Sequence, residues 1–117
     1  MLAAAGSTAL AANEDTARMA ELLAARLGTP VVPAYLCASS PTPAQAVAAL
    51  RTKGHDRIAV AAYLLVPGHF TRSLATAGGA LTTAPLGTHD ALARLILQRY
   101  DAAAPAALAH GAAGQCT

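Results

Sequence analysis

Three short turn segments follow apolar stretches of the chain and carry the side chains best suited to chemistry. Gly6 and Ser7 follow the first apolar stretch, Cys37 follows the second, and Gly68 and His69 follow the third and most apolar one. An imidazole accepts a proton near neutral pH, and imidazole and thiolate groups both bind borderline divalent metals. We therefore predict acid–base or metal chemistry, with His69 as its leading residue.

Each of these residues also has an ordinary structural alternative. His69 could be a loop histidine that caps a helix or faces solvent, and Cys37 could be a small buried hydrophobe. Gly6 and Ser7 would suit an anion-binding turn at a helix start, but a Gly-Ser pair is common. The remaining histidines are weaker candidates. His55 is expected in a turn, His89 at a helix start and His110 in the tail.

The segments that must position these residues alternate strand with helix. Apolar runs predict strands at residues 2–5, 31–36, 58–65 and 81–84. This order predicts an α/β fold, an open four-stranded parallel sheet with helices on both faces, similar to a flavodoxin-like lobe. Ligands bind such sheets beyond the carboxyl ends of the strands, where the three turn segments are expected to converge.

Helix starts are predicted from capping residues. Asn13 is expected to cap the first helix, and Thr42 with Gln45 forms a capping box for the second. The third helix is expected to begin at Thr71, and Thr88 is expected to cap the last one.

The second predicted strand contains a proline. Pro33 has no N–H to donate to a neighbouring strand, which favours an edge position or a kink for this segment.

Length and composition predict one lobe over residues 1–103, followed by an Ala/Gly-rich tail over 104–117 that is expected to be disordered. The two cysteines, Cys37 and Cys116, form no CxxC pair, so a cytoplasmic location is expected by default.

Several partner classes have no support in the sequence. The net charge is +2 without a basic stripe or aromatic platform, which argues against nucleic acid. The longest apolar run is well short of the roughly 20 residues that span a bilayer, so no membrane interaction is expected. No glycine-rich nucleotide or phosphate loop occurs, so no organic cofactor is expected.

Four segments, which follow the family's order along the chain, carry a family resemblance. The sequence Tyr63-Leu-Leu-Val-Pro-Gly-His69, followed by Ala84-Pro-Leu-Gly-Thr-His89, resembles the sirohydrochlorin cobaltochelatases and ferrochelatases of the small CbiX type. The start Ala3-Ala-Ala-Gly-Ser7 is similar to that family's first strand, which normally ends in His-Gly-Ser. The segment Pro33-Ala-Tyr-Leu-Cys37 is similar to its second strand, which normally ends in an acidic residue. The likeness covers about residues 2–103.

This resemblance implies a chelatase-like fold that binds a tetrapyrrole in the cleft and takes Co²⁺ or Fe²⁺ as a substrate. A histidine pair and a carboxylate would deliver the metal and remove the pyrrole protons, because metal cannot enter until those protons leave. Here the third-strand histidine is His69, while Ala5 replaces the first-strand histidine and Cys37 replaces the carboxylate. The resemblance thus makes His69 the catalytic residue and, with Cys37, a metal ligand.

The resemblance further places Gly6, Ser7 and Gly68 against the macrocycle. It is greatest to the carboxyl-terminal lobe of a two-lobe member, which implies a homodimer or a second chelatase lobe as partner. A non-catalytic lobe that pairs with a complete chelatase lobe is the alternative, and an unrelated flavodoxin-like binding domain is a third.

Overall fold

A computed structural model describes residues 1–109 of the chain. The chain divides into two compact units, Met1–Gly87 and a second unit that begins at Thr88, and each is described by itself. The prediction that residues 1–103 form one lobe stays a prediction.

The first unit contains four strands and three helices in the predicted alternating order. In chain order they are β1 (Leu2–Ala4), α1 (Leu10–Leu27), β2 (Pro33–Tyr35), α2 (Pro43–Thr52), β3 (Ala59–Ala62), α3 (His69–Leu74) and β4 (Leu81–Thr82).

The second unit contains helix α4, Asp90–Ala109. Residues 104–109, predicted as the start of a disordered tail, are therefore helical. The rest of that predicted tail, with His110 and Cys116, lies outside the described residues.

The four strands form one parallel sheet in the order β2-β1-β3-β4. Right-handed crossovers in this order place α1 on one face of the sheet and α2 and α3 on the other. The predicted fold class, an open four-stranded parallel sheet with helices, is confirmed. β2 is an edge strand and begins at Pro33, as expected for a residue that cannot donate to a ladder.

Half of the buried core residues on the α2 and α3 face are alanines. Ala3 lies in register with both Ala34 and Ala62, so three methyl groups line up across the middle of this face. The only large side chains that are fully buried among the described residues are Leu74, Val47 and Val60. Met1 and Ile58 are also buried in this core, and because alanine buries little apolar surface, these larger side chains contribute most of the burial.

One predicted helix start is confirmed, and a second differs from the prediction by two residues. α2 begins as predicted, with the Thr42 hydroxyl accepting from the Gln45 N–H and the Gln45 side chain accepting from the Thr42 N–H. α3 begins at His69, two residues before the predicted Thr71, because the Thr71 hydroxyl bonds back to Gly68.

The other two predicted caps are wrong. α1 begins at Leu10 and not after Asn13, whose side chain bonds to Ser7 instead. In α4 the cap is His89 and not Thr88, since the His89 Nδ1 accepts the Ala91 N–H at 3.0 Å.

Candidate functional site

The candidate site lies at the carboxyl edge of the sheet, between β1 and β3. β1 connects outward to β2 on one side, and β3 connects outward to β4 on the other. The connections that follow β1 and β3 leave these neighbouring strands in opposite directions. This opens a crevice beyond the strand ends. The loop 5–9 forms one wall of this crevice and the loop 63–68 forms the other.

The wall after β3 contains an open pocket of about 290 Å³. Its lining is one continuous run of sequence, Leu64–Phe70, and is mostly apolar. Leu65 and Val66 are exposed, whereas Leu64 and Phe70 are half-buried. An exposed apolar surface of this kind suits a flat apolar ligand better than a small polar one.

His69 is the one titratable side chain that lines this pocket. It is the first residue of α3 and is exposed, with its ring centroid 5.9 Å from that of Phe70. The turn before it is fixed by Thr71, whose hydroxyl accepts the Gly68 N–H and donates to the Gly68 carbonyl, both at 2.7 Å. The imidazole is therefore presented at the rim of the pocket on a fixed turn.

The segment after β4 supports the pocket from behind. Leu86 N–H donates to the Leu64 carbonyl at 2.8 Å, and Gly87 N–H donates to the Leu65 carbonyl at 2.7 Å. The Thr83 hydroxyl accepts the Ala62 N–H at 2.9 Å, which ends the regular β3–β4 ladder at that point. Residues 64–66 lie beyond the end of β3 and line the pocket.

The wall after β1 is packed against the end of β2. Gly6 has φ +88°, and a Cβ at this position would lie 2.0 Å from the Cys37 carbonyl oxygen, so only glycine fits. The Cys37 N–H donates to the Ala5 carbonyl at 2.8 Å. Cys37 and Ala5 therefore lie side by side at this edge, and the Cys37 thiol is free and exposed.

The backbone of Ser7 is already engaged within the chain. Its N–H donates to the Asn13 Oδ1 at 3.1 Å, its carbonyl accepts from the Asn13 Nδ2 at 2.8 Å, and its hydroxyl accepts the Ala9 N–H at 3.0 Å. An anion at the predicted Gly6-Ser7 turn would have to compete with these hydrogen bonds.

A complete metal-ligand set is not assembled by the described part of this chain. Within residues 1–109, no group of three or more His, Cys, Asp or Glu side chains could hold a metal ion. His89, at a helix start as expected, uses its Nδ1 as a cap, and His55 is exposed in a loop.

One perturbed group lies at the other edge of the sheet. Burial lowers the pKa of the Met1 ammonium, which donates to the Ala59 carbonyl at 2.9 Å. Because Met1 precedes β1, this group lies at the amino ends of the strands, away from the crevice.

The sequence predicts His69 and Gly68 as site residues, which stays a prediction, and it does not predict the pocket or the residues that hold the two loops, Asn13 and Thr71. Asn13, predicted as a helix cap, bonds to the Ser7 backbone, and Thr71, predicted as the first residue of α3, bonds to the Gly68 backbone. The sequence predicts Leu64 and Leu65 as the end of a buried strand, whereas β3 ends at Ala62. The available signal was Pro67, which cannot continue a ladder.

Comparison with known proteins gives one result. A family model described as CbiX matches residues 1–103 of the 117-residue chain. No curated protein matches it. In the range 1–109, no helix is long and apolar enough to cross a membrane.

Proposed function

Because the chain belongs to the CbiX family, we propose that it inserts Co²⁺ or Fe²⁺ into sirohydrochlorin, for cobalamin or siroheme synthesis. The family indicates a chelatase-type function in tetrapyrrole biosynthesis, with a divalent metal and a tetrapyrrole as substrates. The choice of metal and of macrocycle belongs to the proposal.

The observation that carries the proposal is the apolar pocket with His69 at its rim. A tetrapyrrole presents a flat apolar face, which the exposed Leu65 and Val66 side chains can contact. Insertion of M²⁺ releases two pyrrole N–H protons, so charge is conserved when both leave. A neutral imidazole can accept such a proton or bind the incoming metal, and His69 is exposed enough to reach the ring.

Cys37 is proposed as a second metal ligand. Its thiol is free and exposed, and its backbone N–H donates to the carbonyl of Ala5, the position where the family resemblance leads us to expect a histidine. Gly6, Ser7 and Gly68 are proposed to contact the macrocycle by packing, since the Ser7 N–H and carbonyl are already bonded to Asn13.

A second copy of the chain, or a second chelatase lobe, is proposed to supply the missing groups. Ala5 can neither bind metal nor accept a proton, and the described residues hold no cluster of three or more ligands. The family match does not favour the alternative of a non-catalytic partner lobe. The expected cytoplasmic location stays a prediction.

The pocket assignment is tested by titrating metal-free sirohydrochlorin into the protein and following its absorbance. Val66→Asp removes apolar surface from a pocket residue that is 70% exposed and adds a charge that repels the substrate's carboxylates. We expect this variant to weaken binding at least tenfold, about 1.4 kcal/mol.

The matched control is Leu22→Asp, which places the same charge on an exposed leucine of α1. It should bind like the wild type. Equal binding by wild type and Val66→Asp would remove the pocket from the proposal, and no binding by the wild type would refute the proposed substrate.

A further inference from the structure

We infer that Asn13 is a positioning residue for the crevice: its side chain clamps the loop after β1 at the place where the sheet opens. The effect on the reaction rests on the proposed function, whereas the clamp itself does not. Asn13 is not assigned a contact with substrate.

The clamp is a pair of hydrogen bonds from one side chain to one backbone unit. The Asn13 Oδ1 accepts the Ser7 N–H at 3.1 Å, and the Asn13 Nδ2 donates to the Ser7 carbonyl at 2.8 Å. An amide carries both a donor and an acceptor, so asparagine can satisfy both groups at once. Ser7 lies outside any strand or helix, so no ladder competes for these two groups.

The clamp is anchored to two other elements. The Tyr35 hydroxyl, on a side chain buried in β2, donates to the Asn13 carbonyl at 3.1 Å. On the opposite side of the loop, Gly6 packs directly against the Cys37 carbonyl. The loop is thus held between the end of β2 and the first turns of α1. Asn13 connects all three, because it bonds to Ser7 in the loop and to Tyr35 in β2.

This arrangement fixes the backbone of the loop where it lines the crevice. Ala5 and Ser7 are half-buried at the wall of the crevice, and the backbone between them is held by Asn13 and Gly6. A displacement of about 1 Å at a site wall can cost on the order of 100-fold in rate. We therefore expect loss of the clamp to act on substrate binding through the loop.

Three variants distinguish the effect of the Asn13 hydrogen bonds from that of other changes in the first turns of α1. Asn13→Ala removes both hydrogen bonds. Asn13→Asp keeps an acceptor for the Ser7 N–H but turns a carboxylate oxygen toward the Ser7 carbonyl, so it loses one bond. Glu14→Ala is the matched control, since Glu14 is an exposed neighbour on the same turn of α1.

The experiment measures two quantities on the full chain: hydrogen exchange of the Ser7 amide by NMR, and the Kd for metal-free sirohydrochlorin by absorbance. In Asn13→Ala we expect Ser7 exchange to accelerate at least tenfold and the Kd to rise about tenfold, the scale of two lost neutral hydrogen bonds. Asn13→Asp should fall between Asn13→Ala and wild type in both, and Glu14→Ala should match wild type.

Ser7 exchange tests the clamp, and the Kd tests its effect on substrate binding, so failure of one can be distinguished from failure of the other. Unchanged Ser7 exchange in the Asn13 variants would overturn the clamp. Faster exchange with a Kd equal to that of Glu14→Ala would overturn the positioning role. A wild type that does not bind sirohydrochlorin would refute the proposed function and the role within it, while Ser7 exchange would still decide whether Asn13 holds the loop. Should Asn13→Ala not fold, Asn13→Asp gives both measurements.

Discussion

At the residue scale, the site depends on two glycine turns that shape the two walls of the crevice. Gly68 precedes His69 and is held by the Thr71 hydroxyl, and Gly6 follows Ala5 and is pressed against Cys37. Neither glycine contributes a functional group. At Gly6 glycine is required, because a Cβ would lie 2.0 Å from the Cys37 carbonyl oxygen.

Gly6→Ala should be far more destabilising than Gly28→Ala. Both glycines have positive φ, +88° and +70°, so each alanine carries left-handed strain of about 1–2 kcal/mol. At Gly28 nothing lies within 4 Å of the added Cβ, whereas at Gly6 a backbone oxygen lies 2.0 Å away. We expect a loss of at least about 3 kcal/mol for Gly6→Ala.

Urea unfolding of the two variants measures this difference. Equal losses for both would mean that the loop after β1 is free to move away from Cys37, contrary to the close packing described.

At the element scale, the short helix α3 carries His69 at its first residue and is anchored at its last. That anchor is Leu74, which is 1% exposed and packs in the core on the same sheet face as α2. A helix of this length has little stability of its own, so its position depends on tertiary packing.

Leu74→Ala should therefore cost about 2–5 kcal/mol. Half of the buried residues in this core are alanines, whose methyl groups cannot change rotamer to fill the cavity. Leu81→Ala, at a residue that is 61% exposed in β4, should change stability by no more than about 0.5 kcal/mol. Thermal and urea unfolding give the comparison, and similar losses for the two variants would contradict the assignment of Leu74 as the anchor.

Element boundaries that depend on a local sequence signal were predictable. Boundaries that depend on contacts between distant loops were not. The Thr42 capping box is complete within four residues, so its pattern alone locates the start of α2. Asn13 carries the same capping signal, but Ser7 lies within reach and takes its side chain, so α1 starts earlier. The early end of the β3 ladder depends on Thr83, a side chain 21 residues from Ala62, and no local pattern reports it.

The same distinction holds for the candidate site. His69 was predictable because it follows an apolar run and a Pro-Gly turn, which place it at the carboxyl end of a strand. The pocket beside it was not, because Leu64–Val66 has the composition of a buried strand. Only the departure of the chain from the ladder exposes these residues.

At the scale of the whole molecule, the described chain offers one imidazole at an apolar pocket and no assembled set of three or more ligands. Deprotonating a macrocycle and binding its metal call for more than one such group. The proposed second copy or second lobe would supply the remainder.

Activity should then depend on protein concentration. If two copies complete one site, the rate per chain should rise with concentration and level off where a dimer forms by analytical ultracentrifugation. A constant rate per chain across a range in which the protein stays monomeric would show that one copy suffices.

The central claim is most directly tested by anaerobic absorbance measurement of cobalt insertion into sirohydrochlorin, comparing wild type, His69→Ala and His55→Ala. His55 is an exposed histidine in the loop before β3, so its loss removes an imidazole without touching the pocket. The account predicts insertion above the uncatalysed rate for wild type and His55→Ala, and a loss on the order of 100-fold or more for His69→Ala. Equal insertion rates in all three proteins, above background, would contradict the role of His69. A wild-type rate no better than background, at concentrations where the protein is dimeric, would contradict the proposed activity itself.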